Sequence, residues 1–138
     1  MRYLGLDLGT KTLGLSISDE LGFIATSYKI LRHNEDYESL IPLLKEIIEE
    51  KNIKEFVLGF PKNMNNSVGQ RAEITLLFKE KLEAAFHLPV HLEDERLTTK
   101  VAENLLIQND TSRKKRKKVI DSVAATIILQ SFLDRKGR

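Results

Sequence analysis

Residues 3–8 constrain this chain more than any other stretch. Leu4, Leu6 and Leu8 alternate with Tyr3, Gly5 and Asp7, the two-residue period of a strand. One face of that strand is aliphatic, and the other ends in a lone carboxylate. Burying a carboxylate without a partner costs several kcal/mol, so a metal, a cation or solvent has to reach Asp7. After the turn Gly9-Thr10-Lys11-Thr12, a second strand alternates Leu13, Leu15 and Ile17 with Gly14, Ser16 and Ser18. Its small residues, set opposite the aspartate, leave room for a bulky group above the sheet. A purely structural role for Asp7 is also open, in which the turn amides of Gly9 to Lys11 satisfy it.

Ile24 to Ile30 reads as a third strand, which completes an antiparallel meander. The period then becomes helical. Leu40, Leu43, Leu44, Ile47 and Ile48 mark one apolar face that ends near Asn52, with the helix starting close before Pro42 or bending there. Phe56-Val57-Leu58 is a short strand, and the loop from Gly59 to Gly69 follows its end, where loops of α/β domains often line sites. A second helix carries Ala72, Leu76, Phe78, Leu82 and Phe86. Pro89 to Leu92 is a fifth strand, leading into Glu93-Asp94-Glu95-Arg96. Thr98 or Thr99 caps a third helix through Leu106, and a last helix reaches about Leu133. Three hairpin-joined strands followed by α-β units predict a mixed sheet with helices on its faces.

At 138 residues a chain buries about two-thirds of its unfolded surface, so one domain over 1–138 is expected. With no cysteine, a disulfide framework, a thiolate metal site and a cysteine nucleophile are excluded. No apolar run approaches the ~20 residues of a membrane span. Asp7 also interrupts any signal-peptide core, so a cytoplasmic protein is expected. Arg113 to Lys118 are six basic residues in a row, from a total of 22 basic and 20 acidic. Outside the run the chain is therefore acidic, and one concentrated basic patch on an acidic body suggests a polyanion partner. A solvated loop is the plainer reading of such a run.

Two further acidic features stand out. Glu93, Asp94 and Glu95 repel one another unless solvated or neutralised, and strand alternation sets Glu93 and Glu95 on one face and Asp94 on the other. Asp121 shares a helical stripe with Ala124, Ala125, Ile128 and Phe132, with Lys114 and Lys117 extending the stripe. Acids from a first strand, a later strand end and a C-terminal helix can converge over one sheet. Carboxylates that bind Mg²⁺ or Mn²⁺ suit phosphodiester hydrolysis, and two ions about 4 Å apart can serve the attacking and leaving oxygens. His33, His87 and His91 lack ligand spacing and read as surface or loop residues.

Together these positions resemble the YqgF family, bacterial proteins related to RuvC-type Holliday-junction resolvases. The matching pieces are Asp7-Leu8-Gly9-Thr10-Lys11 through Gly14, and Gly59-Phe60-Pro61 with its Asn-rich loop to Gly69. Asp94-Glu95-Arg96-Leu97-Thr98-Thr99 follows, then Asp121-Ser122-Val123-Ala124-Ala125 through Gln130. The resemblance implies a ribonuclease H-like fold, a five-stranded sheet in the order βββαβαβα with helices on both faces. It also implies a metal-dependent nuclease that matures the 5′ end of 16S ribosomal RNA, with Asp7, Glu95 and Asp121 as the metal-binding acids. Lys11 and Arg96 are expected phosphate contacts on charge and position, and Arg113, Lys114 and Lys117 extend the substrate surface. Two departures are visible. Asn66 stands where a loop glycine is expected, and Ala124 stands where RuvC-type resolvases carry a second acid. Asp94 or substrate oxygens would then complete the metal shell.

Other functions remain open on sequence alone: a resolvase of branched DNA, a non-catalytic nucleic-acid-binding module, and a sugar-kinase or actin-like ATPase. The last is suggested by Asp7-Leu8-Gly9-Thr10, although that fold needs two such domains. Pre-ribosomal RNA is favoured over branched DNA as the partner, and no membrane partner is expected.

Overall fold

The computed structural model describes residues 1–61, 69–94 and 113–137, the last segment by backbone alone as far as 122. Five strands form one sheet: β1 (Arg2–Leu8), β2 (Thr12–Ser18), β3 (Ala25–Arg32), β4 (Ile53–Phe60) and β5 (Val90–Asp94), in the spatial order β3-β2-β1-β4-β5. The β1–β2 and β2–β3 pairs are antiparallel, and the β1–β4 and β4–β5 pairs are parallel. The described α-helices are α1 (Leu40–Lys51), which a 3-10 turn over Tyr37–Ser39 leads into, α2 (Gln70–Phe86) and α3 (Arg113–Lys136). The mixed sheet with helices on both faces is as expected. The helix expected from Thr98 or Thr99 through Leu106 lies outside the described residues.

Alternation decides which helix covers which face. Leu4, Leu6 and Leu8 of β1 and Leu13 and Leu15 of β2 pack with Leu40, Leu44 and Ile47 of α1 and Phe78 and Leu82 of α2. On the other face, Tyr3 and Val57 meet Ile128, Leu129, Phe132 and Leu133 of α3. Pro42 is the third residue of α1, in its first turn, where the N–H it lacks needs no partner within the helix, so the helix starts before it without a break. Asn52 ends α1 in the left-handed region, at φ 55°, which suits a helix C-terminus.

Several boundaries differ from the sequence reading. Strand β4 is longer than Phe56–Leu58, because Ile53 and Glu55 pair with Arg2 and Tyr3 of β1 at one end, and Gly59 and Phe60 pair with Glu93 and Asp94 of β5 at the other. Strand β3 starts and ends later than expected. On α2, Leu76 is exposed and Thr75 takes the buried place, its hydroxyl donating to the Arg71 carbonyl at 2.9 Å. Leu43 of α1 is likewise exposed. The basic run belongs to the α3 backbone, so it is not a loop.

Candidate functional site

Asp7 is half-buried, next to the carboxyl end of β1, on the face that α3 covers. Solvent access therefore relieves part of its burial. How α3 lies on the sheet is set two residues earlier. A Cβ on Gly5 would stand 2.2 Å from Ser16 Oγ, 2.8 Å from Leu129 Cβ and 3.1 Å from the Ala125 carbonyl. Only a glycine lets the helix come this close. Ser16, fully buried and paired with Gly5 across the β1–β2 ladder, donates its hydroxyl to the Ala125 carbonyl at 2.7 Å.

The helix runs antiparallel to β1. Tyr3 stacks edge-on against Phe132, with ring centroids 5.6 Å apart, whereas Gly5 lies under Ala125 and Leu129. Going from Gly5 to Asp7 advances about 6.6 Å along the strand. The turn from Ala125 back to position 121 advances about 6 Å along the helix. The backbone at Asp121 therefore comes level with Asp7. Arg113, Lys114 and Lys117 precede it in the same helix, so their backbone continues about 6–12 Å beyond that level.

The turn after β1 is braced from behind. Gly9 N–H donates to the Thr12 carbonyl at 2.8 Å. His33, 3% exposed, reaches the Gly9 and Thr12 carbonyls with Nε2 at 2.9 and 3.2 Å, and its Nδ1 accepts the Glu35 N–H at 2.9 Å. With Nδ1 accepting, the proton sits on Nε2 and the ring is neutral. The surface reading of His33 is thus corrected. Its burial depends on carbonyls more than twenty residues earlier, which no spacing rule shows. His91 is also no plain surface residue, because its ring lies 4.8 Å from that of Phe132. His87 is exposed at the C-terminus of α2, as expected. Lys11 is exposed on the braced turn.

Arg71 escaped the sequence reading. It lies in the first turn of α2, and its Nη2 donates to the Leu8 carbonyl at 2.6 Å. Leu8 directly follows Asp7, so a guanidinium sits at the same rim of the sheet. A basic residue opening a helix, just after an Asn-rich loop, was the signal available.

The acidic triplet resolves in part. Glu93, inside β5, is 4% exposed, and its Oε1 pairs with Arg135 of α3 at 2.5 Å. Its Oε2 is buried without a hydrogen-bond partner among the described residues. Val90 and Leu92 belong to the α1–α2 side, so alternation gives Asp94 that side and Glu93 the Asp7 side.

A family model described as "RuvX: Holliday junction resolvase" matches residues 1–135. The chain belongs to the RuvX family. This is the YqgF family that its motifs resemble. A relative from Lactiplantibacillus plantarum named "Putative pre-16S rRNA nuclease" is 53% identical, over 100% of this chain and 97% of its own. Among solved structures, Thermus thermophilus RuvC in complex with a Holliday junction substrate superimposes with a TM-score of 0.59 at 15% identity, covering 99% of this chain and 96% of that one. The ROK hexokinase of the same organism gives 0.50 at 23% identity, over 77% of this chain and 38% of that one. Both structural likenesses concern the fold, and RuvC shares it over nearly the whole length.

Of the acids expected to bind metal in this RuvX chain, Asp7 is described with its side chain and Asp121 by its backbone. Glu95 lies outside the described residues, as do Arg96 and residues 62–68 of the Asn-rich loop. Among the described residues, no three His, Asp or Glu side chains gather closely enough to hold a metal ion. Asp7, half-buried at the carboxyl end of β1 with the backbone of position 121 level with it, supplies an oxygen donor of the kind a hard divalent cation takes.

Proposed function

We propose that this chain is a divalent-metal-dependent nuclease that hydrolyses RNA phosphodiesters and processes the 5′ end of pre-16S rRNA. In this reading it is a single ribonuclease H-like domain over residues 1–138, working in the cytoplasm. The observation that carries the reading is the placement of cations on α3. The helix opens with Arg113 to Lys118 and has no acidic residue in its first turn. Cations at a helix N-terminus oppose its dipole, each by a few tenths to about 1 kcal/mol, and they repel one another. A polyanion lying across that end removes both penalties. The same helix brings position 121 level with Asp7, so the polyanion lies beside a carboxylate at the rim. The name of the Lactiplantibacillus plantarum relative supports RNA as that polyanion.

Asp7, Glu95 and Asp121 would hold Mg²⁺ or Mn²⁺, which when bound supplies a polarised phosphoryl oxygen and an acidified water. Lys11 and Arg96 hold phosphate oxygens near the cleaved bond. Arg113, Lys114 and Lys117 retain the flanking backbone through charge, with little sequence preference. The Gly5–Ser16–Ala125 contact fixes the helix against β1 and so sets the spacing between Asp7 and position 121.

Resolution of branched DNA is the second reading, favoured by the family description and the RuvC likeness. One experiment separates the readings. Purified protein is incubated with labelled pre-ribosomal RNA, a four-way DNA junction and ATP, each with Mg²⁺ or Mn²⁺. Cleavage of the RNA near the mature 5′ end is expected. Symmetric nicking of the junction alone would replace the first reading with the second, ATP hydrolysis would select a kinase-like activity, and binding without cleavage would leave a binding module.

A further inference from the structure

We propose that Arg71 binds a backbone phosphate of the nucleic acid at the carboxyl rim of β1, next to the phosphate handled at Asp7. The inference rests on the nuclease reading and extends it by naming a contact on the far side of the sheet. Its guanidinium is held in place by the 2.6 Å bond to the Leu8 carbonyl. That bond occupies one of five N–H donors. Arg71 is exposed, and among the described residues no carboxylate pairs with it. An exposed arginine fixed at one corner, with donors beyond that bond, is pre-organised for a phosphate, whose oxygens match the fork in pairs. Lys11, exposed on the adjoining turn, adds a second cation to the same rim.

Its layer defines which phosphate it takes. Helix α2 packs on the Leu4–Leu6–Leu8 face, whereas Asp7 faces α3. Arg71 therefore reaches the rim from the side opposite the carboxylate. It contacts a phosphate beside the one cleaved, and the strand crosses the rim from the α3 side to the α2 side. A contact of this kind strengthens substrate and transition state alike, so its loss raises KM and spares kcat.

The test uses the full chain with labelled pre-ribosomal RNA and a four-way DNA junction. It compares wild type, Arg71→Gln, Arg71→Lys and, as a control for general charge, Lys45→Gln on the exposed side of α1. Arg71→Gln is expected to weaken binding about tenfold at physiological salt, to reduce the slope of log affinity against log salt by about one unit, and to raise KM with kcat within about twofold. Arg71→Lys should keep the slope and recover part of the affinity, and Lys45→Gln should match wild type. Melting temperature is read alongside, because the bond to Leu8 also ties α2 to β1. A wild-type slope and KM in Arg71→Gln would reduce Arg71 to a structural tie and overturn the proposal, whatever the melting temperature does. If the slope falls but wild type cleaves neither substrate with Mg²⁺ or Mn²⁺, the phosphate contact stands and the nuclease reading fails.

Discussion

The two faces of the sheet are built differently. Toward α1 and α2, leucines from β1 and β2 meet leucine, isoleucine and phenylalanine, and the layer is closed by hydrophobic burial. Toward α3, the matching positions are Gly5, Asp7, Gly14, Ser16 and Ser18. There Ile128, Leu129, Phe132 and Leu133 pack on Tyr3 and Val57, and specific polar ties are added: Ser16 to the Ala125 carbonyl, Gln130 to Ala25 and Phe23, and Arg135 to Glu93. A layer of large apolar side chains stabilises without fixing register closely. Small residues and hydrogen bonds give less burial, but they set the distance and phase of one helix against one strand. That difference suits a chain in which one layer supplies most of the burial and the other fixes the backbone at position 121 level with Asp7.

Exchanging one residue on each face should separate these jobs most sharply. Asp7→Asn is expected to reduce cleavage by about a thousandfold or more, since a lost metal ligand forfeits several kcal/mol of transition-state stabilisation. Its melting temperature should hold or rise, because gathered acids repel without a metal. Leu6→Ala, its immediate neighbour facing the other way, should lower unfolding free energy by about 2–5 kcal/mol. Where the variant stays folded, its cleavage rate per folded molecule should be preserved. Denaturant titration and single-turnover cleavage measure the two. A large fall in stability for Asp7→Asn with activity retained would return Asp7 to a structural role.

Neutralising four residues of the basic run should act only on binding. Substituting glutamine at Arg113, Lys114, Lys117 and Lys118 is expected to flatten the salt dependence of RNA binding by up to about three units. The chemical step at saturating RNA should stay unchanged. An unchanged slope would move the nucleic-acid surface elsewhere.

Gly5→Ala tests the contact between the layers. The added methyl would meet Ser16 Oγ and Leu129 Cβ at sub-contact distances, so α3 must shift, at a cost of about 1–3 kcal/mol. Cleavage should fall by more than the lost folded fraction accounts for, because the shift moves position 121 away from Asp7. Ser16→Ala removes only the hydrogen bond and should cost about 0.5–1.5 kcal/mol. Equal losses of stability and activity in Gly5→Ala would show that helix placement does not matter to chemistry.

Much of this contrast is legible in the amino-acid sequence. Strict alternation locates β1 and β2 and tells their faces apart, because a half-polar strand leaves a period-two trace. The stripe from Asp121 to Phe132 marks the side of α3 that packs. What escapes depends on partners distant in sequence. Glu55 belongs to a strand because it pairs with Tyr3 of β1, and Glu93 is buried because Arg135, 42 residues on, neutralises it. His33 is buried because the Gly9 turn offers it two carbonyls. Leu76 misleads because helical spacing alone does not tell it from Thr75, whose hydroxyl is satisfied inside its own helix. Arg71 escapes for a related reason, since its partner is the Leu8 carbonyl, 63 residues earlier.

The smallest effect concerns how the α3 layer is tied at the opposite end of the sheet from Asp7. Asp19 Oδ1 accepts the N–H groups of Phe23 and Ile24 at 2.8 and 2.9 Å, and Gln130 of α3 bonds to the Phe23 carbonyl and the Ala25 N–H. The β2–β3 turn is thereby shaped by an aspartate and then gripped by the helix. The Ile24 amide, and next the Phe23 amide, hold the Asp19 carboxyl below its ordinary value of 3.8. A carboxylate lowered in the folded state contributes stability that is complete above its unfolded value and is lost as pH falls through the folded one. Asp19→Asn should therefore be slightly less stable than wild type at pH 6, and the gap should close as pH drops below about 3.8. Hydrogen exchange at the Phe23 and Ile24 amides should quicken in the variant at pH 6, while amides of α1 and α2 keep their protection. A stability gap of the same size at pH 3 and pH 6 would assign the difference to packing and not to the charge. Faster exchange spreading into α1 and α2 would show that the two faces are not independent layers.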